Sequence, residues 1–461
     1  MNDVMAQAAL EKKRALISAG TAYNYEFRMQ MLDKLRESIE KHESLVIEAL
    51  KADLGKGAFE AYVSEIGFTY EEIGYAKKHL KKWMKAKRVR TPVVSWPARS
   101  YIRREPLGVV LIIAPWNYPF QLMLAPLIGA IAGGNAVVLK PSELAPNTAK
   151  AIEAVISSAF PEEYISVVQG DGREVVPALF EEGDFDHVFF TGSVEVGRIV
   201  GTMAAERHIP ATLELGGKSP VIVHRDAAIE EAARRVMYGK TINAGQTCVA
   251  PDYLLVHREV KERFLAAAKQ ALEEFFPDGP FASDQYGKMI HEGHYKKVKG
   301  YLDEGTILYG GQTDDASLRI APTIIEAAAP DSGLLTEEIF GPILPVLTYE
   351  RDEEVIGEVR KRPNPLSLYV FTRDKNFERL VTEGLAFGGG CVNDTIIHLI
   401  NPKLPFGGLR TSGKGSYHGY FGFEAMTHAK SIVKSWAGFG LKLRYPPYSD
   451  GTYKLVRRVF K

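Results

Sequence analysis

"PLGVVLIIAPWNYPFQLMLAPLIGAIAGGNAVVL", from Pro106 to Leu139, runs for 34 residues without one charged side chain. By length and apolarity it is long enough to span a bilayer. The prolines decide otherwise. Pro115, Pro119 and Pro126, with glycines interspersed, break it into short pieces, and lipid does not tolerate exposed breaks in the backbone hydrogen-bond ladder. "GVVLIIAP" reads as a strand apolar on both faces, as parallel strands covered by helices are. "FQLMLAPLIGAIAGG" reads as a buried helix stopped by its Gly-Gly pair, and "NAVVLKPS" as the next strand. The stretch is a β-α-β unit rather than a membrane anchor.

The same rhythm continues outward. "ISVVQG" and "HVFFTGS" are further strands with helical segments between, so 107–217 is expected to form a doubly wound parallel sheet. That architecture binds nucleotides beyond its strand C-termini. Upstream, the first ninety residues are helical in pattern, with a Gly stop at Gly55. "RTPVVSWPARSYIRREPLG" alternates like an outlying hairpin, since its two prolines argue against a central strand. Downstream a second α/β unit begins with the strand "SPVIVHRDA", where Asp226 is expected to cap the helix "AIEEAARRVMYGK". It continues through "CVAPDYLLVHREV", a long helix "KERFLAAAKQALEEFF", "LSLYVFT" and "GGGCVND". "KSIVKSW" is a last strand, expected to pair with the early hairpin or with another subunit.

Bulk properties narrow the function. A chain of 461 residues is expected to hold two or three domains. Lys+Arg and Asp+Glu both total 57, so the net charge is zero and nothing in the balance draws the chain to nucleic acid. Two cysteines, Cys248 and Cys391, cannot build a disulfide framework and suit a reducing compartment. The N-terminal thirty residues hold no apolar run of signal-peptide length, so a cytoplasmic protein is expected.

Several residues could carry chemistry. Cys248, in "NAGQTCVAP", follows a helix and Gly245, so a tight non-helical turn is expected to present its thiol. It is either a nucleophile or an inert buried hydrophobe. Glu214, in "LELGGKSP", is either a desolvated general base or a carboxylate satisfied by the amides of Gly216 and Gly217. "FTGSVEVG", ending at Gly197, is a strand, a Gly turn and a helix start whose free N–H groups suit phosphate. Lys140 and Glu143 of "LKPSE" stand at a strand end, able to hold ribose hydroxyls or to form a surface ion pair. Asn117 of "PWNYP" can donate to an oxyanion. Glu338 and Phe340 precede the Gly-Pro turn of "EEIFGP". "LPFGGLRTSGKGSYHGYFGFE" is dense in glycine, implying close backbone packing or a mobile loop. His291 and His294 ("HEGH") have helical spacing, but their neighbours favour a solvated surface over a metal site. Cys391 has no comparable company and reads as a structural thiol.

Together these segments, in order over nearly the whole chain, resemble the aldehyde dehydrogenase superfamily. "NAGQTCVAPDY", "GSYHG" and "LRYPP" look most like its class 3, or fatty aldehyde dehydrogenase, branch. The resemblance implies an α/β fold with a Rossmann-type cofactor domain (1–87 and 106–215, with 412–427 returning to it). It also implies a catalytic domain (216–411) and a small β oligomerisation element (88–105 plus 428–436), followed by a basic tail (437–461). It implies Cys248 as nucleophile, Glu214 as the activator of water, and Asn117 with the Cys248 N–H as oxyanion hole. Trp116, Lys140, Glu143, Gly192, Ser193, Gly197, Leu215, Glu338 and Phe340 are the implied NAD(P) contacts, with no metal. The implied reaction is oxidation of apolar aliphatic or aromatic aldehydes to acids by a homodimer. A carboxylate at Glu143 suits NAD, with NADP open. Transfer of the acyl group to CoA, or a non-catalytic relative, are the alternatives.

The tail departs from the branch. In place of an apolar anchor, "LKLRYPPYSDGTYKLVRRVFK" holds Lys442, Arg444, Lys454, Arg457, Arg458 and Lys461 against Asp450. Packing on its own or a neighbouring subunit is the favoured expectation over contact with an anionic membrane.

Overall fold

The computed structural model describes residues 3–327, 329–438 and 444–460; Lys442 and Lys461 of the tail lie outside them. The chain divides into two compact units, Met1–Trp83 with Pro106–Thr427, and Met84–Glu105 with His428–Lys461.

In the larger unit the expected β-α-β segment forms as strand Val109–Ile113, helix Gln121–Gly133 and strand Ala136–Lys140. Every residue of the three elements is buried. Gly134 closes the helix in the left-handed region at φ 87°, which only glycine adopts freely. The strands pair in parallel, Val109 opposite Ala136, and two more parallel strands, His187–Thr191 and Ile165–Val167, flank them. Two short segments complete a six-stranded sheet. Ala211–Glu214 pairs in parallel with His187–Thr191, and Gly413–Lys414 pairs antiparallel at its edge. Periodicity marks neither as a strand, because four and two residues are too few to show one.

The long N-terminal helix Tyr25–Leu54 is capped by Asn24, whose side chain accepts from Glu26 N at 2.7 Å, and stops at Gly55 in the left-handed region as expected. A second, seven-stranded sheet contains Pro220–Val223, Tyr253–His257, Ile343–Tyr349, Ser367–Phe371 and Gly389–Val392. Its core packs the helices Ile229–Thr241 and Lys261–Phe275 against Val221, Leu254, Val346 and Tyr369. One expectation fails here. Helix Ile229–Thr241 has no side-chain cap, and Asp226 instead pairs with His224 Nδ1 at 2.6 Å and accepts from Thr372 Oγ1 at 2.9 Å. The neighbouring strand end outcompetes the helix because Thr372 and His224 both reach the carboxylate.

The smaller unit is a three-stranded sheet. Lys87–Val89 and Arg99–Pro106 form the expected hairpin with Lys87 opposite Ile102, and Thr427–Lys434 adds to the second strand. Its C-terminal part is a helix, Asp450–Val459, whose Tyr453, Leu455 and Val456 are exposed.

Candidate active site

The Cys248 loop is built from strained backbone. After helix Ile229–Thr241, Asn243 (φ 50°), Ala244 (φ 51°) and Gly245 (φ 75°) are all left-handed. For the two non-glycines that costs on the order of 1 kcal/mol or more each, so surrounding bonds must impose it. Asn243 N donates to Glu60 Oε1 at 2.7 Å, and its Nδ2 donates to the carbonyls of Asn117 (2.8 Å) and Gln246 (3.0 Å). The Gln246 side chain donates to Asn243 O and Lys288 O and accepts from Ile290 N. A side chain at 245 would place its Cβ 2.3 Å from Gly341 O, so glycine there lets the "AGQTC" and "EEIFGP" segments touch.

The loop leaves Cys248 a half-buried free thiol. Burial, then the nearby carboxylates of Glu338 and Glu214, push the thiol up to about 12. Ionisation of the thiol at neutral pH in the free pocket is strongly disfavoured. A nucleophilic role therefore needs a proton acceptor close by.

Glu214 ends its strand between Thr191 and Gly413. It is 2% exposed, and neither carboxyl oxygen has a hydrogen-bond partner among the described residues. Burial alone drives it well above the usual carboxylate range. The alternative of a carboxylate held by the Gly216 and Gly217 amides is overturned, because the Gly217 N–H serves Glu338 instead. Burial and the charge of Asp252 push Glu338 up to about 8, against the pull of Gly217 N–H, Lys218 and Lys240. Asn117, 3% exposed, directs its Nδ2 to Gln246 O at 3.1 Å, two residues before Cys248. Cys248, Glu214 and Asn117 are thus brought together, with Glu338 beside them.

The remaining sequence-derived residues fall into separate local groups. Trp116 meets Phe340 edge to face, ring centroids 5.3 Å apart. His294, expected to be solvated, is half-buried: its Nε2 lies 2.8 Å from Phe340 O and its ring 5.5 Å from Trp116. Burial holds it down at about 4. Among the described residues no three His, Cys, Asp or Glu side chains are placed to hold a metal. Lys140 and Glu143 pair at 2.8 Å, but Lys140 is 2% exposed, so the pair is not an ordinary surface one. Although burial opposes it, the Lys140 hydrogen bond holds Glu143 below its usual range. Ser193 caps helix Val194–Glu206, accepting from Val196 N at 3.3 Å. Gly192 N donates to Glu214 O, and a Cβ at Gly197 would lie 2.3 Å from Leu215 Cδ2.

These residues fit a dinucleotide. Lys140 and Glu143 stand at one strand's C-terminus, a capped helix start follows another, and the buried hydroxyl of Thr191 between them lacks a partner among the described residues. Sequence reading missed the residues beneath the site. Lys218 and Asp252 form a buried pair at 2.6 Å; Lys218 donates to Glu337 O and Asp252 accepts from Ile339 N, pinning the "EEIFGP" segment. Lys56, Glu60, Glu65, Asn243 and Gln246 support the other side. A lysine directly after a helix stop was the only local trace of this layer.

Comparison with known proteins agrees with this geometry. The Aldehyde dehydrogenase family matches residues 2–432. The chain is 46% identical over 450 residues to 4,4'-diaponeurosporen-aldehyde dehydrogenase of Staphylococcus aureus, covering 97% of each. It is 40% identical over 445 residues to aldehyde dehydrogenase family 3 member H1 of Arabidopsis thaliana, covering 95% of this chain and 92% of that one. The substrate-bound structure of Staphylococcus aureus AldH superimposes with a TM-score of 0.95 at 45% identity, covering 98% and 99% of the two chains. A thiol, a desolvated carboxyl and residues that would suit a dinucleotide thus coincide with a match along nearly the full length: the chain belongs to the aldehyde dehydrogenase family and is an NAD(P)-dependent enzyme that oxidises aldehydes to carboxylic acids.

Proposed function

We propose that the enzyme oxidises apolar aliphatic or aromatic aldehydes through covalent catalysis at Cys248. The observation that carries this reading is the buried, unpartnered carboxyl of Glu214 within electrostatic reach of the half-buried thiol. The Cys248 sulfur adds to the aldehyde carbon while its proton passes to an ionised carboxyl of the pocket. The alkoxide oxygen of this thiohemiacetal is bound by Asn117 Nδ2 and the Cys248 N–H. NAD(P), when bound, supplies the hydride acceptor that converts the adduct to a thioester. Glu214 then takes a proton from water, the hydroxide adds to the thioester carbonyl, and the acid leaves as the sulfur regains a proton. Desolvation suits Glu214 to this step, since a carboxyl raised toward neutrality is a stronger base when ionised.

Lys140 and Glu143 would hold the adenosine ribose, with the Glu143 charge disfavouring a 2′-phosphate. Gly192, Ser193 and Gly197 would border the phosphates. Trp116, Leu215 and Phe340 would flank the nicotinamide, with Glu338 on its ribose. The six-stranded sheet serves the cofactor and the seven-stranded sheet the catalytic loop. The Staphylococcus aureus relative, by its name, acts on 4,4'-diaponeurosporen-aldehyde. We place the enzyme in the cytoplasm as a homodimer. The exposed Val433 and Trp436 of the three-stranded unit support a second copy docking there, and no helix among the described residues is long and apolar enough to cross a membrane.

The test is a panel of medium-chain and aromatic aldehydes assayed for NADH and NADPH, with Cys248→Ala as control. Turnover is expected to vanish in the variant. Undiminished turnover there would sink the covalent mechanism, and acyl-CoA formation from added CoA would assign the acyl group to CoA instead of water.

A further inference from the structure

We propose that the buried ion pair Lys56–Glu65 is a positioning device for the amide of Asn117, an inference that rests on the oxyanion role given to Asn117 above. Both side chains are wholly buried. Taking two charges out of water is costly, and well-packed apolar residues would serve stability as well or better. Beyond their mutual bond, both partners reach the segment that carries Asn117. Lys56 Nζ donates to Asn117 O at 3.0 Å and lies 3.9 Å from the centroid of the Tyr118 ring. The Tyr118 hydroxyl is in turn hydrogen-bonded to Thr247 Oγ1 at 2.8 Å, next to Cys248. Glu65 Oε1 takes Lys56, while Oε2 accepts from the N–H groups of Phe120 (2.9 Å) and Gln121 (3.1 Å).

The placement of each partner follows from the backbone. Lys56 comes directly after Gly55, which ends the long helix, and Glu65 lies on a π-helical turn, Tyr62–Ile66. Such turns are uncommon and concentrate at functional sites. Glu65 also sits at the start of helix Gln121–Gly133, where free N–H groups favour a negative charge. Asn243 Nδ2 is a second donor to Asn117 O. The Asn117 carbonyl is therefore fixed by two donors and its segment is held again at 118, 120 and 121. The side-chain amide is thereby aimed at the Cys248 loop, where one N–H donates to Gln246 O at 3.1 Å. A donor that must meet a developing oxyanion needs this kind of support, because displacement by about 1 Å can cost roughly 100-fold in rate.

The test uses the full-length enzyme with NAD and a saturating aldehyde. The principal variant is Lys56→Met/Glu65→Met, which removes both charges together and so leaves neither one unpaired. It is expected to keep the wild-type unfolding midpoint and the KM for NAD, and to lose roughly 10- to 100-fold in kcat. In an Asn117→Ala background the same double change is expected to cost less than about threefold, because the donor it positions is already gone. Lys56→Met/Glu65→Gln, which likewise leaves no charge unpaired, gives the same reading if the methionine pair does not fold: a fall in kcat at an unchanged midpoint supports the proposal. Wild-type kcat in a folded variant overturns it, as does a loss that multiplies in full with Asn117→Ala. Full turnover in Asn117→Ala alone would instead refute the oxyanion role itself.

Discussion

Gly216→Ala separates folding from chemistry with one methyl group. Built on the backbone, a Cβ at 216 lies 2.0 Å from Glu338 Oε2 and 2.7 Å from its Cδ. Ordinary non-bonded contact is about 3.5 Å, so the carboxyl must retreat by more than about 1 Å. Gly216 is not among the left-handed glycines, so alanine meets no backbone penalty. The obstacle is the far end of a side chain, which can rotate away. Stability should therefore change by less than about 1 kcal/mol, a small shift in unfolding midpoint. The displaced group is the one assigned to the nicotinamide ribose, and a shift of this size costs roughly 100-fold in turnover or cofactor affinity. NADH formation at 340 nm over a range of NAD concentrations, beside a thermal melt and iodoacetamide labelling of Cys248, measures all three quantities. Unchanged kcat/KM for NAD at an unchanged midpoint would refute the assignment of Glu338. A collapsed midpoint would refute the claim that the carboxylate yields.

Two further outcomes follow from the carboxyls. Glu214→Gln should give a burst of NADH followed by a slow steady state, since oxidation is spared and thioester hydrolysis is not; a burst that vanishes too would place Glu214 in an earlier step. Glu338, pushed up to about 8 by burial and Asp252, binds its proton more tightly in the native than in the unfolded state. Its contribution to stability is therefore complete below the ordinary carboxylate range and is lost as pH rises through about 8, with a slope that approaches about 1.4 kcal/mol per pH unit. Urea unfolding at pH 6 and pH 9 should show a smaller loss for Glu338→Gln than for the wild type, and equal losses would remove Glu338 as the cause.

The sequence determined the layered α/β plan, because strand and helix periods, Gly stops and prolines record short-range sterics that any window contains. The prolines of 106–139 excluded a membrane span, and Gly55 ended its helix where a left-handed residue is needed. It also marked Cys248, Glu214 and Asn117 as candidates by type and setting, but left the first two each with an inert alternative, and only the family resemblance attached roles to them. Their partners were decided by the tertiary structure. Whether the Gly217 amide serves Glu214 or Glu338 depends on loops more than a hundred residues apart, and this choice leaves Glu214 desolvated and able to act as a base. Asp226 chose Thr372 over its helix, and His294 left solvent for Phe340, for the same reason. The support under the site is longer in range still, with Asn243 bonded to Glu60 across 183 positions and Lys56 to Asn117 across 61. No local pattern encodes such contacts, because they exist only once the two sheets and the long helix have set the distances between them.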